Sequence, residues 1–582
     1  MDAPLEFLKK ASGALLGASE RNGNIFCAKH RVEHTGKIAY AAILNLELFD
    51  ATGGAEYLER AKLYAEFVYS KIKPDPSGKY WIVWPGNYSR YNMSNSSLDA
   101  GSGIDALSSL LLHPESGLSE ETIKKYRDAV WKVSSSYLAE AASEKPITNQ
   151  RLWAGTGLAA AYALFHEKKW KDAVLKGIER AFREQLADGF FSYHPSPEKS
   201  CMPGSARDIT SFYHSRHIGF ILYSLDRLGV DWRSHEANLS KGIRALIALI
   251  GRDGLKSIRA ETKRWYWHSF YEVASYSFDL YALLAWGERA GDELATQYAR
   301  LMWERLESEQ KEGGWITASK TGENFQCKIF WTCQVAWLAR VRNLVPQKTN
   351  MPQDEYAYFP NADILRVGKP SYLVTLRGKT SAPTMSWGSG YGGGNILYFG
   401  KKSQGFANQL PARHGEVESG MGYGSWVAVP LSHSFLMRVR RALRILRNER
   451  QELKSHVFYM LVELRAGNIR AFWHLFAGHF LRRILSAFSP LISTEWSGEV
   501  TADVSPREAS YKVAPAARDG ERRDDFILKR KYTFGEDTVS VRDQVGVKRP
   551  PRCLAWVGMG LGKKTRVFHP KQNDTIVIEY EL

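Results

Sequence analysis

The chain has 582 residues, of which 44% are hydrophobic and 12% aromatic, so it can bury large cores and is not a disordered protein. Lysine and arginine outnumber aspartate and glutamate by 79 to 62, and the formal net charge of +17 favours a polyanionic partner. No zinc-finger spacing, Walker loop or aromatic-basic RNA-reading motif accompanies that charge, so we expect no nucleic-acid partner.

The N-terminal stretch MDAPLEFLKKASGALLGASERNG lacks the basic, apolar and small-residue order of a secretory signal. The sequence as written therefore predicts a cytoplasmic protein, or a periplasmic or secreted one if a signal has been removed. The cysteines are odd in number and form no CxxC pair, which argues against a disulfide framework and a metal site. We expect free thiols, no metal and no cofactor, and the oligomeric state stays open.

Residues 1–345 alternate apolar helices with amphipathic, charged ones. The pattern predicts helices over 33–50, 55–73, 98–112, 119–142, 150–165, 168–187, 209–228, 235–250, 269–290, 292–310 and 325–343. In a pair such as RLWAGTGLAAAYALF and KKWKDAVLKGIERAFREQL, the first helix is apolar all round and the second is apolar on one face. Such pairs, repeated every ~40–60 residues, predict an inner and an outer layer closing into an (α/α) toroid.

Residues 346–582 change to short alternating or β-branched runs separated by Gly, Pro, Asp and Asn. The runs are SYLVTLRGK, NILYFGKK, SWVAVPL, DFILKRKYTF, DTVSVRDQV, CLAWVGM and TIVIEYEL. They predict an antiparallel β-sandwich, which makes the whole chain an α+β multidomain protein.

A basic helical insertion at about 434–486 interrupts the predicted sandwich. Between residues 434 and 483 it holds eleven Arg or Lys against three Glu, and Phe435, Val439, Leu443 and Leu446 form one helical stripe. The pattern suits a peripheral contact with an anionic membrane or with a partner surface, but it favours a helical hairpin packed on its own sandwich with a solvated basic face.

Two stretches of the predicted toroid resemble the alginate lyase and heparinase II/III-like superfamily of polysaccharide lyases. TNQRLWAGTGLAAAYAL (148–164) is similar to the Asn-Asn-His-Arg-Tyr-Trp-Ala helix start of toroidal alginate lyases, aligning Asn149, Arg151 and Trp153. FYHSRHIGFILYSLDRLGVD (212–231) resembles their Tyr-His-Asn-Tyr-Ala-Leu helix, aligning Tyr213 and His214. The order of the two stretches and the strands that follow also fit the multidomain members.

The chain departs from that pattern at two positions where the family carries reactive groups. Gln150 stands where the alginate lyases have a catalytic His, and Arg216 stands where they have the second Tyr. The resemblance therefore implies the fold more firmly than the activity.

The activity implied is β-elimination on a uronic-acid-containing anionic polysaccharide, in a groove between toroid and sandwich. The C5 proton becomes acidic only when the adjacent carboxylate is neutralised, a role that suits Asn149 and Arg216. Tyr213, His214 and His217 are candidates for the group that removes the proton. Tyr213 and Arg216 lie three residues apart and share a helix face, so the arginine would favour the phenolate.

Further residues are predicted to reach the same groove. Multidomain lyases of this class bring a sandwich His to the cleft, which makes His414 a further catalytic candidate. The predicted substrate-binding residues are Trp84, Arg151, Trp153, Trp265, Trp267, His268, Tyr271 and Arg413.

Each of these residues has a structural alternative. Asn149 could be the N-cap of its helix, Tyr213 and His214 could be interior groups, and the tryptophans could belong to the core. For the whole protein, the alternatives are a non-catalytic glycan-binding protein of exopolysaccharide or lipopolysaccharide assembly and a toroid glycoside hydrolase, which would need two opposed carboxylates.

Overall fold

A computed structural model gives the architecture of the chain. It describes residues 2–27, 32–84, 96–193, 209–257, 260, 275–316, 328–348, 350, 354–379, 392–406, 425–429, 435–448, 500–517, 521–557 and 565–582, with isolated positions between 453 and 497. The chain forms two compact units. The first comprises 1–191, 212–247 and 272–351, and the second comprises 192–211, 248–271 and 352–582.

The first unit is helical. Its helices are α1 (Ala3–Gly17), α2 (Thr35–Thr52), α3 (Ala55–Ser70), α4 (Ser96–Leu112), α5 (Glu120–Val133), α6 (Ala139–Glu144), α7 (Thr148–Phe165), α8 (Lys168–Glu184), α9 (Ser211–Leu228), α10 (Glu236–Ala248), α11 (Tyr276–Ala290), α12 (Glu293–Ser308), α13 (Lys328–Cys333) and α14 (Ala336–Ala339). Two short strand pairs accompany them, β1 (Phe26–Cys27) with β2 (Val32–Glu33) and β3 (Ile72–Pro74) with β4 (Trp81–Val83).

The helices form the two layers that the sequence predicts. Helices α2, α4, α7 and α11 are buried on nearly every side, whereas α8 buries Trp170, Val174, Ile178 and Ala181, a stripe with helical spacing. Glycine lets the inner helices approach closely, since a Cβ on Gly101 of α4 would lie 2.2 Å from the Trp153 carbonyl oxygen of α7. The α/α toroid is confirmed.

The ring of inner helices closes where its last member meets its first. The Trp337 ring of α14 lies 6.2 Å from the Tyr40 ring of α2 and 5.5 Å from the Phe278 ring of α11. The single helix predicted over 325–343 is wrong, because the backbone makes i→i−3 hydrogen bonds between α13 and α14, with Gln334 N donating to Trp331 O at 3.1 Å.

In its described residues the second unit contains three antiparallel sheets. Its strands are β5 (Glu355–Phe359), β6 (Ile364–Lys369), β7 (Tyr372–Arg377), β8 (Asn395–Lys401), β9 (Trp426–Val429), β10 (Ile492–Ser493), β11 (Val500–Val504), β12 (Glu508–Val513), β13 (Ala516–Ala517), β14 (Phe526–Phe534), β15 (Val539–Val547), β16 (Cys553–Val557), β17 (Thr565–Phe568) and β18 (Thr575–Glu581). The sheet orders are β5-β6-β7-β8, β13-β10-β9-β16-β17 and β11-β12-β14-β15-β18. Each of the seven runs predicted to be strands forms one.

Side-chain alternation places one core between these sheets. In β14 and β15 every second residue is buried, and these residues pack with side chains of β6, β7, β9 and β12. Strands β6 and β7 are buried on both faces because residues 248–257 of the same unit cover the four-stranded sheet. There Arg252 pairs with Glu355 at 3.0 Å, and Arg366 donates to the Ile250 carbonyl at 2.8 Å.

The basic insertion contains helix α15 (Phe435–Asn448) and the short helix α16 (Ile469–Trp473). Across the described residues, no helix combines the length and the apolar character needed to cross a bilayer.

Candidate active site

Polar side chains lie at the N-terminal ends of the inner helices of the first unit. Lys37 lies in the first turn of α2, Asp99 in the first turn of α4, Asn149 in the first turn of α7 and Arg216 in the second turn of α9. Helix N-termini carry partial positive charge, so this end of the toroid favours anions. We call Lys37, Asp99, Asn149, Tyr213 and Arg216 the N-terminal cluster.

Lys37 is held by aromatic rings. Its Nζ lies 4.4 Å from the ring centroid of Phe330, 4.8 Å from that of Trp153 and 5.3 Å from that of Tyr40. The residue is 2% exposed, and within the described part of the chain its Nζ has no hydrogen-bond partner. Burial, followed by repulsion from Arg216, lowers the pKa of Lys37 from 10.5 to about 7, although Asp99 acts in the opposite sense.

Asp99 reaches Lys37 from the neighbouring inner helix. Its Oδ1 accepts a hydrogen bond from the Gly36 backbone N–H at 2.7 Å. Burial raises the pKa of Asp99 to about 7, against the lowering effects of the Gly36 hydrogen bond and the Lys37 charge. For both groups, burial changes the pKa more than their mutual attraction does.

Gly36 allows this approach. A Cβ at position 36 would lie 2.9 Å from Asp99 Oδ1 and 3.0 Å from Asp99 Cα, so a larger residue would push the two helix starts apart.

Arg216 crosses from α9 to the inner helices on the other side. Its guanidinium donates to Ser275 Oγ at 3.0 Å and to Gln334 Oε1 at 3.3 Å. The break between α13 and α14 brings Gln334 to this position. The guanidinium carbon also lies 5.2 Å from the Tyr213 ring, so the predicted pairing of Tyr213 with Arg216 on one helix face is observed.

Tyr213 is half-buried, whereas Arg216 is 1% exposed. The Arg216 guanidinium lies inside the toroid beside the rings of Phe212, Tyr213 and Phe278, and its predicted contact with the substrate carboxylate stays a prediction.

The two histidines of the same helix are also interior groups. His214 Nε2 bonds to the Gly242 carbonyl of the outer helix α10 at 2.8 Å, so it faces away from the toroid axis. His217 is fully buried with its ring 4.9 Å from Phe191, and burial, followed by the nearby His214 and Arg151, holds its pKa well below 6.5. Both rings are enclosed, and proton transfer from the substrate to either histidine stays a prediction.

Two predicted sugar contacts belong to the helix packing instead. Arg151 forms an ion pair with Glu184 of the outer helix α8 and donates to the Lys145 carbonyl at 2.6 Å. Trp153 donates from Nε1 to Ser102 Oγ at 2.9 Å and lies in the core. Neither side chain reaches the surface, and their predicted sugar contacts stay predictions.

Asn149 is buried, and among the described residues its Oδ1 accepts no hydrogen bond. The N-cap of α7 is Ile147, which excludes the N-cap alternative for Asn149. Trp84 is half-buried, with Lys73 Nζ 4.3 Å from its ring centroid. Trp265, Trp267, His268, Tyr271, Arg413 and His414 lie outside the described residues.

Aromatic rings fill the toroid axis beneath the N-terminal cluster. Trp153 lies 5.0 Å from Phe220 and 6.0 Å from Phe278, and Phe220 lies 5.1 Å from Trp337.

Lys37 is not among the residues that the sequence predicts for the site. The sequence feature that could have identified it is a lone lysine in HTGKIAYAAIL, a helix whose other residues are typical of burial on all sides.

No protein-family model matches the chain, and a comparison with curated proteins finds no match. Among solved structures the chain is similar to the Streptomyces coelicolor A3 chondroitin AC lyase in complex with chondroitin sulphate, with 12% identity and a TM-score of 0.50 over 97% of this chain and 69% of that one. It is also similar to a Paenibacillus xanthan lyase, with 10% identity and a TM-score of 0.50 over 96% of this chain and 46% of that one. A cellobiose 2-epimerase from Bacillus thermoamylovorans B4167 matches 58% of this chain and all of its own, with 9% identity and a TM-score of 0.43. The likenesses to the two lyases show that the chain shares their fold.

Proposed function

We propose that the protein is a polysaccharide lyase that cleaves a uronic-acid-containing anionic polysaccharide by β-elimination. The observation that carries the proposal is that Tyr213 is half-buried and that its ring lies 5.2 Å from the guanidinium carbon of Arg216. Both residues lie at the end of the toroid where Lys37 and the inner-helix N-termini concentrate positive charge. Such an end attracts an acidic sugar ring and places a tyrosine beside a positive charge.

The reaction needs a base, a stabilised anion and an acid. The Tyr213 phenolate removes the proton on C5, the electrons of that C–H bond form the C4=C5 double bond, and the C4–O bond breaks. An acid then protonates the departing glycosidic oxygen. Between these events negative charge spreads onto the uronate carboxylate, where a positive environment stabilises it.

Within this proposal Arg216 is a positioning residue. It touches Tyr213 and is fixed by Ser275 and Gln334, so it keeps a positive charge behind the phenol without contacting the sugar. Lys37 adds to the same field when protonated. Asn149, whose Oδ1 has no partner among the described residues, remains the predicted amide contact for the carboxylate.

The test is the ultraviolet absorbance of the unsaturated uronyl end that only a lyase leaves. We expect the absorbance to rise with at least one polymer from a panel of alginate, glycosaminoglycans and bacterial capsule polysaccharides. The matched control is Tyr213→Phe, which keeps the ring beside Arg216 and removes only the hydroxyl. It should abolish the rise without changing the far-ultraviolet circular dichroism.

Three outcomes would contradict the proposal. Full activity of the Tyr213→Phe variant would exclude this residue as the base. New reducing ends without the absorbance would identify a glycoside hydrolase. Polysaccharide binding without any cleavage would identify a non-catalytic glycan-binding protein.

The role of Arg216 has its own test. Arg216→Lys keeps a positive charge but cannot hold both Ser275 and Gln334, so we expect its activity to require a higher pH than the wild type. A purely structural arginine would lower activity equally at every pH.

A further inference from the structure

Exposed apolar side chains concentrate in the basic insertion. The three most exposed large hydrophobic residues that the structure describes are Leu436 at 69%, Leu443 at 60% and Ile469 at 60%, and all three belong to it. Isolated exposed leucines are ordinary on protein surfaces, but a concentration in one segment marks an interaction site.

Helix α15 arranges these leucines along one line with arginines. Four exposed residues share one face of the helix because they are separated by four, three and four positions. They are Leu436, Arg440, Leu443 and Arg447. Ala442 is buried and Val439 and Leu446 are half-buried, so a neighbouring flank of the helix rests on the protein. The exposed line therefore differs from the stripe predicted from the sequence, of which Val439 and Leu446 are partly covered.

Helix α16 adds aromatic surface to the same segment. Ile469 and Trp473 lie four residues apart and are both exposed. The Trp473 ring packs 5.7 Å from each of the Phe472 and Phe476 rings, and the residue is still 56% exposed. Tryptophan in this situation is typical of the boundary between water and lipid.

We propose that the insertion binds an anionic lipid surface peripherally, with Leu436 and Leu443 entering the headgroup region and Arg440 and Arg447 pairing with lipid phosphates. Apolar and cationic groups alternating on one helix line match a bilayer boundary, which offers both kinds of partner. An anionic polysaccharide would satisfy the arginines and leave the leucines in water. A second copy of the chain would bring two segments together that each carry eleven cations against three anions.

The proposal is tested by co-sedimentation of the full chain with phosphatidylcholine vesicles, with and without phosphatidylglycerol. We expect binding only to the anionic vesicles, and weaker binding as salt is raised. The variant Leu436→Gln/Leu443→Gln should weaken vesicle binding by about tenfold or more, because two partly inserted side chains are lost. The matched control is Leu16→Gln/Leu112→Gln, which changes two exposed leucines of the helical unit and should bind like the wild type.

The charge is tested separately with Arg440→Gln/Arg447→Gln, which should bind less tightly and with a shallower salt dependence. Wild-type vesicle binding by the insertion leucine variant would overturn the proposal, as would equal binding to neutral vesicles. A change from dimer to monomer in the leucine variant, measured by analytical ultracentrifugation, would assign the line to self-association and also overturn it.

Membrane binding and the proposed lyase activity can fail independently. Both leucine variants should raise the absorbance of soluble polysaccharide at the wild-type rate, because neither alters the N-terminal cluster.

Discussion

Replacing Lys37 by methionine should stabilise the helical unit at neutral pH. Lys37 is buried, its ammonium has no hydrogen-bond partner among the described residues, and its pKa falls from 10.5 to about 7. Each pKa unit corresponds to about 1.4 kcal/mol, so the lysine opposes folding by about 5 kcal/mol at pH 7 and below. Attraction of the ammonium to three aromatic rings returns roughly 2 kcal/mol. We therefore expect Lys37→Met to be more stable by about 3 kcal/mol at pH 7.

The difference in stability between Lys37→Met and the wild type should depend on pH, because the pKa of Lys37 differs between the folded and the unfolded chain. Between pH 7 and pH 10.5 the unfolded chain binds a proton at Lys37 that the folded chain does not, so wild-type stability rises with pH across this window. Lys37→Met lacks that group, so its advantage shrinks as pH rises and should be lost near pH 10. Neither effect is expected of Lys168→Met, which removes an exposed lysine.

Hydrogen exchange of peptides from α2 and α4, measured in urea at several pH values, reports the stability of this region without contributions from the second unit. A Lys37→Met variant that is less stable than the wild type at pH 7, or whose advantage is the same at pH 7 and pH 10, would refute the reasoning. The same variant should also lose polysaccharide cleavage. A more stable but inactive variant is the signature expected of a residue kept for function.

Three further predictions follow from the same cluster and its surroundings. Asp99→Asn should keep the acceptor for the Gly36 N–H. Above pH 7 we expect the variant to be more stable than the wild type by on the order of 3 kcal/mol, because the raised pKa of Asp99 makes ionisation of its carboxyl group in the folded state unfavourable. The difference in stability should vanish as the pH falls towards 4. Gly36→Ala should destabilise the unit by about 1–3 kcal/mol, measured by urea unfolding, because its Cβ would meet Asp99, and activity should fall with it. Arg151→Met should lower stability by roughly 2 kcal/mol, because Glu184 loses one buried partner but keeps Arg180 at 2.8 Å and the Thr148 hydroxyl at 3.0 Å. The polysaccharide concentration for half-maximal rate should stay unchanged.

The layered fold could be read from the sequence because hydrophobic period and strand alternation are local signals. KKWKDAVLKGIERAFREQL shows one apolar face and became the half-exposed α8, and the alternating DFILKRKYTF became β14. Those patterns decide which side of an element is buried, and they did so correctly for the outer helices and the sheets.

The orientation of side chains on the inner helices could not be read in the same way. Helices α7 and α9 are buried on all sides, so hydrophobicity does not distinguish the flank that faces the axis from the flank that faces the outer layer. Arg151 and His214 face the outer helices, whereas Arg216, two residues after His214, faces the axis. Only the packing of the whole ring decides between these flanks, which is why a motif of five polar residues contained one axial cation and two interior histidines.

Two pairs of buried charged residues along the toroid axis differ in whether attraction between the partners outweighs the unfavourable effect of burial. Asp105 lies six residues after Asp99 on α4, about 9 Å further along the helix. There it pairs with Arg340 at 2.8 Å and accepts a hydrogen bond from Tyr223. Burial disfavours the charge of Arg340, but Asp105 and Tyr223 outweigh it and raise the pKa of the guanidinium. That lower site is a buried pair in which attraction outweighs burial, as a structural role requires, although Arg340 Nε has no hydrogen-bond partner among the described residues.

The upper site has the opposite balance, since burial prevails over attraction at both Lys37 and Asp99. A double-mutant cycle with Lys37→Met and Asp99→Asn separates the two interpretations. If the pair is retained for function, the double variant should be more stable than the wild type at pH 7, because two groups whose burial outweighs their attraction are removed together. If the pair were a structural lock like Asp105 and Arg340, the double variant would be less stable, and the N-terminal cluster would lose its claim to be the active end of the toroid.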